Sequence, residues 1–289
     1  MKINVLRVNA FTESLDGGNP AGVLLDSPEL TDEQMAYITK DLVVSETAFI
    51  SPSKKADYKV LFFTPEVEVE LCGHATIATF FTMASRGVFS QDCVVSQETK
   101  AGILPVNIIF SDDKTVDRVM MTQRKPIYKN IYFDISQVAD SLNISVEDID
   151  DSLPKQIVST GLFTLPLCIK SFDVLKTVKP DFEKIKDICK RLGTGSFHLF
   201  TFDTIEPGST YHARNFCPLY GINEDPVTGT ANGAVSSYLV RNGIVKDKKL
   251  ICEQGDVIGR RGRVFVEMDG DVVKVGGKAR IVEEREIEI

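Results

Sequence analysis

The chain predicts an α+β protein made of two pseudo-symmetric halves, each a sheet wrapped around one central helix. Three observations lead there. The stretch 63–88, FTPEVEVELCGHATIATFFTMASRGV, recurs at 216–244 as FCPLYGINEDPVTGTANGAVSSYLVRNGI. Phe63 and Pro65 match Phe216 and Pro218, Gly73–His74–Ala75 match Gly229–Thr230–Ala231, and Gly87–Val88 match Gly243–Ile244, with the same 14-residue spacing between the glycines. The second copy is three residues longer upstream, around Asn223–Glu224–Asp225. Next, the helix of the first copy is apolar on several sides through Ile77, Ala78, Phe80, Phe81 and Met83, so it should be buried within sheets. Finally, the elements around the two copies follow the same order.

In chain order, residues 2–11 alternate as a strand, Asp16–Gly17–Gly18–Asn19–Pro20 is a turn, and Ala21–Leu25 is an apolar strand. Asn19 is either a plain turn residue or an amide that orients a substrate carboxylate or hydroxyl. Thr31 with Gln34 three residues on forms a capping box for a short helix to Lys40. The run Leu42–Ile50 reads as a strand with Glu46 in its middle. A carboxylate among apolar neighbours is costly to bury ionised, so Glu46 is at an edge, paired or functional. A desolvated carboxyl holds its proton nearer neutrality, as a general acid–base group needs.

Tyr58–Phe63 is a strand leading into the first copy, where Glu66, Glu68 and Glu70 alternate with Val67, Val69 and Leu71 as a solvated face. Each copy continues through a Gly turn into a helix of about three turns. Gly87 and Gly243 fall where a left-handed terminating residue is expected. Gly73 and Gly229 open the helices, whose first amides suit an anion such as a carboxylate or phosphate. Short strands follow at 92–97, 101–110 and 116–122. Residues 123–132, with Pro126, read as the link between halves, giving a first half of 1–122 plus about 277–289 and a second of 123–276. There, Ile135–Leu142 and Phe182–Leu192 read as helices. Lys155–Thr160, Leu165–Ile169 and His198–Phe202 read as strands, as do runs at 249–253, 262–268, 271–276 and 278–284.

Composition narrows the function. Hydrophobic content of 43% with 26% charged residues is that of an ordinary soluble globular protein. A net charge of −8 and pI near 5.1 argue against nucleic-acid or anionic-membrane partners. The N-terminal MKINVLRVNAF reads as a strand rather than a signal peptide, and no apolar run nears the roughly 20 residues that span a bilayer. The six cysteines (72, 93, 168, 189, 217 and 252) are scattered without a C-x-x-C pair. They read as reduced thiols rather than a disulfide framework or zinc site. The expectation is a cytoplasmic protein without a metal.

Few residues are placed to carry chemistry. His74 follows Gly73 at the first helix start and is a packed or capping imidazole, or a proton-handling one. Asp225 precedes the second helix, where it complements the dipole or acts on a ligand. His198 and His212 read as structural. Cys72 at a helix start invites a thiol-base reading, yet the matching position of the second copy is Thr228, which is no base. Nucleophile-elbow, dinucleotide and P-loop motifs are missing.

Four blocks together, Gly18–Asn19–Pro20–Ala21–Gly22–Val23, Ser45–Glu46–Thr47–Ala48–Phe49, Leu71–Cys72–Gly73–His74–Ala75–Thr76 and Glu224–Asp225–Pro226–Val227–Thr228–Gly229–Thr230–Ala231, resemble the signature blocks of the phenazine-biosynthesis PhzF-like isomerase family. The resemblance covers nearly the whole chain. It implies a diaminopimelate epimerase-like fold, two β-barrel-like halves around central helices with the active site between them. By resemblance Glu46 is the acid–base residue, with His74, Asp225 and Thr230 in a supporting network. Asn19, Gly73, Ala75, Gly229 and Ala231 would hold the substrate, and Asn232 and Gly233 would line the pocket. The family resemblance further implies no organic cofactor, no metal and a homodimer. Many relatives carry Ser at the position of Thr230. The function so implied is a cofactor-independent isomerase that shifts a proton, and with it a double bond, on a small carboxylate-bearing substrate. The alternatives are an amino-acid racemase or epimerase using Cys72, and a non-catalytic small-anion binding protein.

Overall fold

The computed structural model describes residues 1–289. The chain forms two compact units: Met1–Thr122 with Gly276–Ile289, and Gln123–Val275. No helix is long and apolar enough to cross a membrane.

The first unit runs β1 (Lys2–Ala10), β2 (Asn19–Leu24), α1 (Asp32–Asp41), β3 (Thr47–Pro52), β4 (Tyr58–Phe63), β5 (Glu68–Val69), α2 (Gly73–Ser85), β6 (Cys93–Thr99), β7 (Gly102–Phe110) and β8 (Val116–Thr122). The second runs β9 (Ile127–Asn130), α3 (Ile135–Leu142), β10 (Gln156–Ser159), β11 (Phe163–Cys168), α4 (Phe172–Thr177), α5 (Phe182–Leu192), β12 (Ser196–Thr201), β13 (Tyr211–Cys217), β14 (Ile222–Asp225), α6 (Gly229–Arg241), β15 (Lys249–Gln254), β16 (Gly262–Asp269) and β17 (Val272–Gly277). The last strand, β18 (Ala279–Glu288), completes the first unit by pairing antiparallel with β1 along its length.

The duplication seen in sequence is a duplication of topology. Within the first unit β1–β2 is antiparallel, β2–β3 parallel, β3–β4 and β4–β5 antiparallel, β4–β6 parallel and β6–β7 antiparallel. Within the second, β10–β11, β11–β12, β12–β13, β13–β14, β13–β15 and β15–β16 repeat those senses in the same order. In each unit the sheet curls around one helix. Helix α2 packs against β1, β2, β3, β7, β8 and β18, and α6 against β10, β11, β12 and β16. Both helices are accordingly buried nearly all round, from Ala75 to Ala84 and from Ala231 to Leu239. The outer sheet faces take the peripheral helices. Met35 and Ile38 of α1 pack with Val5, Phe49 and Phe63, while Ile185 and Ile188 of α5 join Val138, Leu165 and Phe197. Full burial of each such aliphatic side chain contributes about 1.5–3 kcal/mol.

The central helices end identically. After Arg86, Gly87 (φ 79°) donates to the Ala84 carbonyl and Val88 to that of Met83. After Asn242, Gly243 (φ 69°) donates to Val240 and Ile244 to Leu239. Both are Schellman closures, in which the left-handed residue is glycine because a Cβ is strained there.

Three expectations need correcting. The link at 123–132 contains β9, which pairs with β10, so these residues belong to the second unit. The strand expected over Leu42–Ile50 begins only at Thr47, because Leu42 caps α1 and Val43 turns left-handed at φ 54°. Glu46 thus sits in the entry to β3 rather than within it. The turn ends at Gly18 (φ 66°), and Asn19 is the first residue of β2, buried opposite Ala10.

Candidate active site

In the first unit three polar side chains converge. Glu46 is held by the backbone: the Gly22 amide donates to the Glu46 carbonyl at 2.9 Å. That approach of β2 to β3 requires glycine, since a Cβ on Gly22 would stand 2.2 Å from Thr47 Oγ1 and 2.7 Å from Leu42 Cδ1. The Glu46 carboxylate then reaches His74 in the first turn of α2, with Oε2 3.4 Å from Nε2. That oxygen is buried and accepts no hydrogen bond. His74 Nδ1 lies 3.4 Å from Cys72 Sγ. Cys72 is the N-cap of α2, and its side chain does not cap the helix. Gly73 follows in open surroundings: a Cβ there would meet only Met121 Sδ, at an ordinary 3.6 Å. Neither backbone strain nor packing therefore demands glycine at 73. Ala75, one turn position further, is fully buried.

The second unit presents the matching helix start with different side chains. The N-cap of α6 is Thr228, whose hydroxyl donates to Asp225 Oδ2 at 2.5 Å instead of capping the helix. Gln254, at the end of β15, organises this turn. Its Oε1 accepts from the Thr228 amide at 3.1 Å, and its Nε2 donates to the Asp225 carbonyl at 2.8 Å. Asn232 Nδ2 donates to the same Oε1 at 2.7 Å and to the Thr228 carbonyl at 2.8 Å. Thr230 sits in the first turn, its carbonyl accepting from Thr160 Oγ1 at 3.1 Å, while Gly229 and Ala231 beside it are buried.

Register equates positions of the two units. Thr47 lies opposite Phe63 and Phe197 opposite Phe216, so the residue before each, Glu46 and Ser196, correspond. Ser196 is buried and donates to Thr164 Oγ1 at 2.7 Å. The trio Glu46, Cys72 and His74 is therefore answered by Ser196, Thr228 and Thr230. Of these matched positions, only those of the first unit carry titratable side chains.

Asn232 and Gly233, which the resemblance placed at the pocket wall, have other work. Asn232 is fully buried with its amide committed as above, and a Cβ on Gly233 would stand 2.7 Å from Val275 Cγ1, so that glycine is required by packing against β17. His198 is fully buried between Asn215 and Asn232, at 3.1 and 3.2 Å. Burial lowers its pKa from 6.5 to about 4. The neutral ring donates from one nitrogen only. Asn215 Oδ1 faces Nδ1 and Asn232 Oδ1 faces Nε2, so the ring donates to one of these two oxygens at a time. His212 is fully buried with Nδ1 2.9 Å from Glu253. Gln254, Ser196 and Asn215 were not singled out from sequence, because their positions have meaning only once strand register is known.

Chains of similar sequence and fold occur among known proteins. A Bacillus subtilis protein named uncharacterized isomerase YfhB is 39% identical over 278 residues, spanning 96% of this chain and 93% of its own. The Escherichia coli uncharacterized isomerase YddE is 33% identical over 273 residues, 92% of this chain and 90% of its own. The crystal structure of a Bacillus anthracis phenazine biosynthesis protein of the PhzF family matches with a TM-score of 0.91 and 35% identity over the full length of both chains. A hydroxyproline epimerase from Agrobacterium vitis matches at TM-score 0.64 and 14% identity, over 99% of this chain and 91% of that one, a likeness of fold. Fold and relatives together define an isomerase with the diaminopimelate epimerase-like architecture. The model of the phenazine biosynthesis-like family, PhzC-PhzF, matches residues 8–285, and this chain belongs to that family.

Proposed function

We propose that the protein catalyses a cofactor-independent proton transfer, with a double-bond shift, on a small carboxylate-bearing substrate, and that Glu46 carries the proton. The observation that carries this reading is the Glu46 carboxylate itself: one oxygen is buried without a hydrogen-bond donor, 3.4 Å from His74 Nε2, beside a helix start that its own N-cap side chain leaves open. A carboxyl placed so, with no hydrogen bond on that oxygen to break, can take a proton from one carbon and return it to another. His74 orients it and relays charge. Substrate carboxylate is held at the uncapped helix amides, where a side chain at 73 would intrude; Asn19 and Ala75, with Gly229 and Ala231, belong to the same binding function. Asp225 and Thr230 support the reaction from the second unit. Racemisation by two opposed bases is disfavoured by Thr228 and Ser196 at the positions matching Cys72 and Glu46. The six free cysteines fit a reducing compartment, and a homodimer is the assembly we propose, to be read by sedimentation.

The test joins a ligand screen to isotope exchange. Small carboxylates and anthranilate-like acids are screened for thermal stabilisation, and hits are incubated in D2O and followed by NMR. Wild type should introduce deuterium into its substrate. Glu46→Gln should lower exchange and turnover by about 100-fold or more while still being stabilised by the same ligand. A variant with full activity removes Glu46 from the mechanism, and a wild type that binds but never exchanges is a small-anion binding protein.

A further inference from the structure

Glu46, Cys72 and His74 are also a donor set of mixed softness. Cys72 Sγ lies 3.9 Å from His74 Nε2, Nε2 lies 3.4 Å from Glu46 Oε2, and the sulfur, imidazole and carboxylate donors all fall within 4.8 Å of one another. A tetrahedral zinc ion, with Zn–S near 2.3 Å and Zn–N or Zn–O near 2.0–2.2 Å, holds its ligands roughly 3.3–3.7 Å apart. The imidazole–carboxylate edge already has that length. The sulfur stands nearer Nδ1, at 3.4 Å, than Nε2, so the sulfur edge closes by a turn of the Cys72 or His74 side chain, and the sulfur–carboxylate edge, within 4.8 Å, by rotation of Glu46. Oε2 has no hydrogen bond to surrender on binding. Glu46 and His74 keep 20% and 13% of their side-chain surface exposed, enough for an ion to enter. One thiolate with one imidazole selects zinc and cobalt over magnesium or calcium, which want an all-oxygen shell.

We propose that Cys72 Sγ, His74 Nε2 and the Glu46 carboxylate bind one thiophilic divalent transition-metal ion, Zn2+ fitting best, with a fourth position open to water or a small anion at the start of α2. Binding transfers the thiol proton to the buffer and changes no oxidation state. The ion is not a resident cofactor: it occupies the carboxylate assigned above to proton transfer, so it acts as a reversible inhibitor. That consequence rests on the proposed function, whereas the binding itself does not.

The test reads binding without turnover. The reduced full-length protein is titrated with Co2+ and then with Zn2+. The expected result is a sulfur-to-cobalt charge-transfer absorption that saturates at one equivalent and disappears as Zn2+ displaces the cobalt. Cys72→Ser should abolish the absorption, Glu46→Gln should weaken Co2+ binding about tenfold or more, and Cys93→Ser should change neither. Thermal melts of each variant separate loss of the site from loss of fold, and Glu46→Gln decides the matter if Cys72→Ser does not fold. Absence of the absorption, its survival in folded Cys72→Ser, or an undiminished affinity in Glu46→Gln would overturn the proposal. Any of these outcomes leaves the isotope-exchange result untouched.

Discussion

Gly22 and Gly73 flank the candidate chemistry and are glycine for opposite reasons. A Cβ at 22 would collide with Thr47 and Leu42, whereas at 73 it makes one ordinary contact, with Met121 Sδ. Gly22→Ala should therefore destabilise by about 1–3 kcal/mol, read by urea unfolding, and displace Glu46 with it. Gly73→Ala should keep or slightly raise stability, since Ala is about 0.5–1 kcal/mol better than Gly in a helix, and yet lose turnover. A variant equally active and equally stable would show that no ligand uses the space at 73. His198 gives a pH signature. Its pKa falls from 6.5 to about 4 through burial, so below pH 6.5 the unfolded chain takes up a proton that the folded one refuses. Stability present above pH 6.5 is lost as pH falls towards 4, by about 3 kcal/mol in total. The difference between wild type and His198→Gln, measured across that window, should show this loss only in wild type. The sequence marked Glu46, His74 and Cys72 individually. The family resemblance put Glu46 with His74, but the residues alone did not, because their meeting comes from β2 and β3 lying side by side with α2 packed on both, a register that the residues between 22 and 47 do not encode locally.

Elements were legible where one signal dominated. The capping box at Thr31 forms as expected, with Gln34 Oε1 accepting from the Thr31 amide at 2.9 Å, and both central helices were found from their spaced glycines. Since nothing lies within 4 Å of a Cβ built on Gly87 or Gly243, replacement by Ala should cost only backbone strain, about 1–2 kcal/mol each. The two costs should add, because the sites share no partner; calorimetry of the single and double variants checks it. Elsewhere local pattern misled. Leu42–Val43–Val44 has strand composition, but helix α1 runs through Asp41 and claims Leu42 as its cap. Strand β13 is buried along its whole length, so YHARNFC lacks the alternation by which a half-exposed strand is recognised. Helix α4 is only six residues, too short for a periodicity.

At the scale of the molecule, the repeat announced two similar units, but the pairing that closes the first joins opposite ends of the chain. Lys2 faces Glu288 and Ala10 faces Ala279. Removing residues 279–289 should leave β1 paired with β2 alone and α2 without one wall of its cage. Hydrogen exchange should then show amides of α2 losing protection while those of α6 keep theirs; equal protection in both would mean that β18 is dispensable.

That pairing also sets an order of events during synthesis. Glu46 leaves the ribosome early, with more than two hundred codons still unread before residue 279, where the strand that its sheet zips against begins. A product released before residue 279 carries every side chain assigned to proton transfer but lacks the strand that closes the sheet around α2. The proposed proton transfer should therefore wait on β18 reaching β1.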